Sequence, residues 1–340
     1  MRGQGAKPRP KKPLRPGVHF VPSRHNQCGI GIASQMMLDS MKRVLGPGLF
    51  SDDPHSRFAT SYVHGNMEIP TNATHARRRI GFFTWETTVA QRKLAEMTRG
   101  YTEIWTPSRF SKDALISAGV ELPVFVVPHI TDLGTRIERT GKPRILVQAD
   151  GWSRRSRKRP EVALAAAMIG SIGLNADIVL KVHHMTDDEI NAVIADARDL
   201  AGSLDTPVEV VSTWGSEFIP FLRTFHILVS ATRGEAFGLP LLEAMANGVA
   251  VCAHNKGGQG EFLHGYIAET DQVPAIDSGD SYFKCGDWWD VKIPSLASSV
   301  TRALVDFNDG NDVVVVDAHK KASRFTAQNL DEKMKKLLML

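Results

Sequence analysis

Nine short runs of β-branched and aromatic residues, spaced by segments of helix length, leave a chain of this kind few ways to fold. VHFVP (18–22), IGFF (80–83), EIWT (103–106) and VFVVP (124–128) come before the turn-forming TGKPR (140–144). RILVQA (144–149), DIVLKV (177–182), VEVVS (208–212), ILVSA (227–231) and VAVCA (249–253) come after its start. Runs this short and this continuously apolar predict strands buried on both faces. The intervening IASQMMLDSMKRVL (32–45) halts at Gly46-Pro47, and PEVALAAAMIG (160–170) opens on proline and stops at glycine, as helices do. Strand-helix alternation predicts parallel sheets with crossover helices. A length of 340 residues exceeds one ordinary core. The expected fold is α/β, with two doubly wound halves facing across a cleft. The halves are expected at 17–140 and 141–320, after a disordered basic tail at 1–16. A C-terminal helix within 321–340 is expected to pack back on the first half.

Composition narrows the class. No run approaches the roughly 20 apolar residues of a membrane span, and the basic N-terminus has no apolar stretch behind it to make a secretory signal. Cys28, Cys252 and Cys285 lie far apart, which argues against a disulfide framework or a zinc site and points to a reducing cytoplasm. The net charge of +4 is uneven: Arg2, Lys7, Arg9, Lys11, Lys12 and Arg15 crowd the tail, leaving the rest slightly acidic. Such a tail suits a polyanion such as DNA, or serves as a solubilising leader.

Open parallel sheets bind ligands beyond the carboxyl ends of their strands, so polar and glycine-rich residues just after each run matter most. In NQCGIGIAS (26–34), Gly29 and Gly31 let backbone approach an anion at a helix start. As a dinucleotide fingerprint the stretch is imperfect, with Ser34 where glycine or alanine belongs. Asp52 and Asp53 follow at the right distance, but FSDDPHS reads as loop. In GWSRRSRKRPE (151–161), five cations crowd a strand-to-helix junction, where they can neutralise a diphosphate or form a solvated basic loop. In TRGEAFGLPLLEAMANGVAV (232–251), Glu235 falls in the loop. Glu243 falls about one turn into a helix, on its exposed N-terminal side. The amides of Phe237, Gly238 and Leu239 are then free donors at the helix start. Glu243 can accept two hydrogen bonds from a vicinal diol such as ribose, and Glu235 can do the same for sugar hydroxyls.

GEAFGLPLLEAMANGVAV resembles the E-x7-E signature of retaining nucleotide-sugar glycosyltransferases with the GT-B fold. CGIGIAS, GFFTWETT, YTEIWTPSRFSKDALISAGV, VFVVPHITDL and SRKRPEVALAA resemble further segments of that family, in the right order. The resemblance spans about residues 18–330. It implies two Rossmann-like domains and a UDP- or GDP-linked hexose as co-substrate. It assigns Glu243 to the donor ribose, Glu235 to the transferred sugar, and Gly29, Gly31, Phe237, Gly238 and Leu239 to backbone contacts. Arg154 and Lys158 would hold the diphosphate, with Arg155 and Arg157 alternatives to Arg154. The family's cleft histidine is replaced by Glu86 or supplied by His64. No Asp-x-Asp triplet is present, so no metal is expected, and the adjacent His183 and His184 point to opposite faces of a strand.

The expected activity is hexosyl transfer to a hydroxyl, with hydroxymethylated pyrimidine in DNA set beside saccharide, lipid and small-molecule acceptors. Two other classes stay open: a nicotinamide-dependent oxidoreductase built on the glycine loop, and a non-catalytic nucleic-acid-binding protein on a transferase fold.

Overall fold

The computed structural model describes residues 13–23, 29–65, 69–136, 140–152, 155–213, 217–275 and 285–338. Most of the basic tail, residues 1–12, and Arg154 lie outside them.

The first half contains β1 (Arg15–Val21), α1 (Gly29–Leu45), β2 (Phe50–Ser51), β3 (Phe58–His64), β4 (Arg78–Phe82), α2 (Arg92–Met97), β5 (Glu103–Thr106), α3 (Arg109–Ser117) and β6 (Val124–Val126). The second contains β7 (Arg144–Asp150), α4 (Arg155–Lys158), α5 (Pro160–Gly170), β8 (Asp177–His183), α6 (Asp187–Leu200), β9 (Val208–Ser212), α7 (Phe218–Leu222), β10 (Ile227–Val229), α8 (Leu239–Ala246), β11 (Ala250–Ala253) and β12 (Tyr266–Ile267). An antiparallel hairpin, β13 (Thr270–Pro274) and β14 (Asp287–Val291), then leads to α9 (Ile293–Asn308), α10 (Val313–Ala322) and α11 (Ala327–Leu338).

Each half holds a six-stranded sheet, ordered β2-β1-β3-β4-β5-β6 and β12-β11-β10-β7-β8-β9. Every pairing in both sheets is parallel. The second order is that of a doubly wound nucleotide fold, reversing direction between β10 and β7; the first reverses between β1 and β3. FSDDPHS is not all loop. Phe50 and Ser51 pair with Val18 and His19, so Asp52 and Asp53 follow a strand, and the Asp53 carboxylate accepts the His55 amide at 2.9 Å.

The sequence of α5 explains its place. Its alanines and Gly170 leave no bulk, so it sits between the sheet and α9, where a Cβ on Gly170 would lie 2.5 Å from the Ala297 carbonyl oxygen. A different logic holds α11. Leu330, Met334 and Leu337 join Phe20, Met37, Met41 and Tyr62 in the core of the first half, and Arg43 pairs with Asp331 at 2.7 Å. The last helix thus straps the second half to the first. Met334 is fully buried there. Met334→Ala is expected to cost about 2–5 kcal/mol of stability by leaving a cavity, read from the urea midpoint at constant slope.

Among the described residues no helix is long and apolar enough to cross a membrane, and no cluster of three or more His, Cys, Asp or Glu is placed to hold a metal.

Candidate active site

The two sheets meet through loops at their carboxyl ends. Ser108, after β5, donates its hydroxyl to the Ala236 carbonyl at 2.6 Å. The Phe110 amide, in the first turn of α3, donates to Glu261 from the other half at 3.1 Å. Gly234 abuts Glu86 so closely that a Cβ would lie 2.1 Å from the Glu86 carbonyl oxygen. Gly234→Ala is therefore expected to hold the halves apart, enlarging the radius of gyration in solution scattering and costing about 1–3 kcal/mol of stability.

At the switch point of the second sheet, the loops after β7 and β10 lie side by side. Lys158 comes from the first and Glu235 from the second. The Lys158 ammonium bonds the Glu235 carboxylate, which also accepts the Thr232 hydroxyl at 3.1 Å and lies 3.5 Å from Arg157 Nη1. That Arg157 nitrogen donates to the Gly234 carbonyl at 2.8 Å, while Nη2 stands 3.9 Å from Glu86 Oε1. Burial opposes ionisation of Glu235, but Lys158 and Arg157 outweigh it and hold its carboxyl below the usual range. For Glu86 burial wins, and its carboxyl rises despite Arg157. Two carboxylates from opposite halves thus flank one guanidinium with their proton affinities pushed apart.

Glu243 is not on an exposed helical face. It is 8% exposed, because α8 is covered by β11, α10 and the core on all sides. Burial raises its carboxyl to about 8, against the pull of Lys181. Lys181, on β8, is itself buried, with its ammonium 5.2 Å from the Phe218 ring centroid. Gly238 caps α8 at φ +93°, a conformation that favours glycine, while Phe237 and Leu239 bury their side chains and can offer only backbone. The Phe237 ring packs edge-on to His129 at 5.0 Å.

Gly29 and Gly31 begin α1, at the carboxyl end of β1 in the first half. His64 stands apart from Glu86 and Glu235. It is 1% exposed, stacked on Phe82 at 4.5 Å and bonded through Nδ1 to the Tyr62 hydroxyl at 2.9 Å. Burial lowers its pKa to about 3, so the imidazole is neutral and enclosed. His184 stacks on the exposed Trp152 at 3.4 Å and meets Asp150 at 3.2 Å.

One contribution escapes sequence reading. The segment KGGQGE (256–261) folds under the Glu235 loop, with the Gly258 amide donating to the Glu235 carbonyl at 2.8 Å and its Cα too close to Ala236 for a side chain. Its signal was three glycines just after a strand. Arg157, one of the alternatives left open beside Arg154, stands with Lys158 at Glu235, while Arg154 lies outside the described residues.

Comparison with known proteins agrees with this fold. Residues 176–278 match the family described as Glycosyl transferases group 1. Over 156 residues the chain is 30% identical to the D-inositol 3-phosphate glycosyltransferase of Paenarthrobacter aurescens, covering 46% of this chain and 33% of that protein. The chain thus spans about a third of that relative's length. Anabaena HepE, solved with UDP, superposes with a TM-score of 0.66 over 95% of this chain and 99% of its own, at 12% identity. The pneumococcal O-GlcNAc transferase GtfA, solved with UDP and GlcNAc, gives a TM-score of 0.58 over 91% of this chain and 60% of its own, at 11% identity. The chain is built on the GT-B frame of two facing Rossmann-like domains, and it carries a glycosyl transferases group 1 domain at residues 176–278.

Proposed function

We propose that the protein is a retaining glycosyltransferase that moves a hexose from a UDP- or GDP-linked donor to a hydroxyl group. The observation that carries this reading is the Lys158–Glu235–Arg157 cluster at the switch point of the second sheet, facing Glu86 of the first half. Structures of HepE hold UDP or UDP-glucose, which supports a nucleoside diphosphate sugar as donor here.

In this scheme the bond from the sugar's anomeric carbon to the phosphate oxygen breaks and its electron pair leaves on the diphosphate. Lys158 and Arg157 compensate that charge. Arg154, outside the described residues, is a further cation for it. Glu235 exchanges its bond to Lys158 for hydroxyls of the transferred sugar, and Glu243 accepts from the donor ribose. Backbone amides at Gly29, Gly31, Phe237, Gly238 and Leu239 complete the cradle. The acceptor oxygen attacks on the face the diphosphate leaves, and its proton passes to the departing phosphate oxygen. The transition state is oxocarbenium-like. The contacts between Gly234 and Glu86 exclude water from this point. The basic residues 1–16 favour a polyanionic acceptor, hydroxymethylated duplex DNA.

The test is incubation with ¹³C-labelled UDP- and GDP-hexoses and a panel of acceptors: hydroxymethylated duplex, saccharide, lipid and small alcohol. Label in a product with the donor's anomeric configuration is the expected NMR result, and an inverted linkage would overturn retention. Transfer to the duplex should weaken with salt and with removal of residues 1–12, which leaves β1 whole; indifference to both removes DNA as the acceptor.

A further inference from the structure

The hairpin of β13 and β14 belongs to neither six-stranded sheet, yet it touches both halves beside the site. Asp290, on β14, pairs with two arginines at once. Arg233 reaches it through Nε at 3.1 Å and Nη2 at 2.8 Å, and Arg159 through Nη1 at 3.0 Å. These arginines are chain neighbours of the site: Arg233 stands two residues before Glu235, and Arg159 directly follows Lys158.

The loops are stitched further around Arg233. Its amide donates to the Arg157 carbonyl at 2.7 Å, its Nη1 to the Ser156 carbonyl at 3.2 Å, and its own carbonyl accepts the Trp289 amide at 2.9 Å. Arg159 holds a left-handed backbone, φ +49°, that a non-glycine residue keeps only when its surroundings impose it. The Asp290 and Glu161 carboxylates, at 3.0 and 2.7 Å, supply that restraint. At its other end the hairpin grips the first half. The Asp287 amide donates to the Thr88 hydroxyl at 2.8 Å, and the Thr88 amide returns a bond to the Asp287 carbonyl at 3.2 Å. Thr88 is two residues from Glu86.

We propose that Asp290 is a positioning residue, clamping Arg233 and Arg159 so that the Lys158 ammonium and Glu235 carboxylate keep their register while the same hairpin joins that cluster to the Glu86 loop. The kinetic consequence rests on the glycosyltransferase reading; the clamp itself does not. The carboxylate touches no proposed substrate position and acts through the two guanidinium groups.

The test compares the full-length protein with Asp290→Asn, which keeps the shape and removes the charge, and with Asp290→Glu. Hydrogen exchange is measured on peptides covering 155–161 and 232–238, alongside donor turnover. Exchange in both peptides is expected to rise about tenfold in Asp290→Asn and to return toward wild type in Asp290→Glu. Turnover is expected to fall about tenfold with donor KM changed less than about twofold, and in a Lys158→Ala background Asp290→Asn should add little. Unchanged exchange in both peptides would overturn the clamp. A multiplicative loss of turnover in the double variant would show that Asp290 acts elsewhere. A wild-type protein that turns over no donor leaves the exchange result to decide the clamp and counts against the glycosyltransferase reading alone.

Discussion

Lys158→Ala is expected to slow donor turnover by on the order of 10²–10³, the usual cost of removing one group that stabilises developing charge. Glu235 holds the ammonium at the switch point, and exchanging that bond for sugar hydroxyls leaves the ammonium to the departing diphosphate. Arg157 shares this role but does not replace the ammonium in full, because its Nη1 is held by the Gly234 carbonyl at 2.8 Å. Glu235→Ala should fall in the same range by removing the anchor proposed for the sugar. Both variants should keep the wild-type circular dichroism spectrum, since the cores lie in the sheets below. Near-normal turnover in both would remove the assigned site.

The second large effect is on stability. Glu243→Gln should make the ligand-free protein more stable at pH 8, by about 3–5 kcal/mol, while weakening donor binding. The folded-state carboxyl is raised to about 8 by burial, whereas in the unfolded chain it titrates near the ordinary value of 4.5. Between those values the unfolded state releases a proton that the folded state keeps. Stability from this group is therefore fully present below about pH 4.5 and is lost as pH rises through about 8. Glutamine does not titrate, so the variant and wild type should converge near pH 4 and separate as pH climbs. Thermal unfolding across pH 4–9 reads this directly, and parallel curves for the two proteins would contradict it. Buried groups with shifted proton affinity cluster at functional sites, which supports the ribose role proposed for Glu243.

Much of this was legible in the residues, and the failures share a cause. Strands buried on both faces, such as β7 and β8, announce themselves as apolar runs, and Pro160 and Pro240 mark helix starts through their own backbone limits. β3 stayed hidden although it lies inside the first sheet. FATSYVH interleaves polar residues that become acceptable only through tertiary partners, as when Ser61 donates to the Ala73 carbonyl at 3.2 Å. The hairpin was hidden likewise, since TDQVP and DWWDV carry charges satisfied across the fold. Glu243 was placed correctly in its helix but on the wrong kind of face, because one-dimensional pattern does not show that α8 is covered on every side. Arg157 is set at the site by its bond to the Gly234 carbonyl, a contact that no spacing rule contains.

The most direct measurement is release of nucleoside diphosphate from a panel of UDP- and GDP-hexoses, made in parallel on the wild type and Lys158→Ala, with NAD binding as the counter-assay. Release by the wild type from at least one donor, reduced on the order of 10²–10³ in the variant and without NAD binding, is the predicted outcome. Equal release by the two proteins, or NAD binding with no release from any donor, would contradict it.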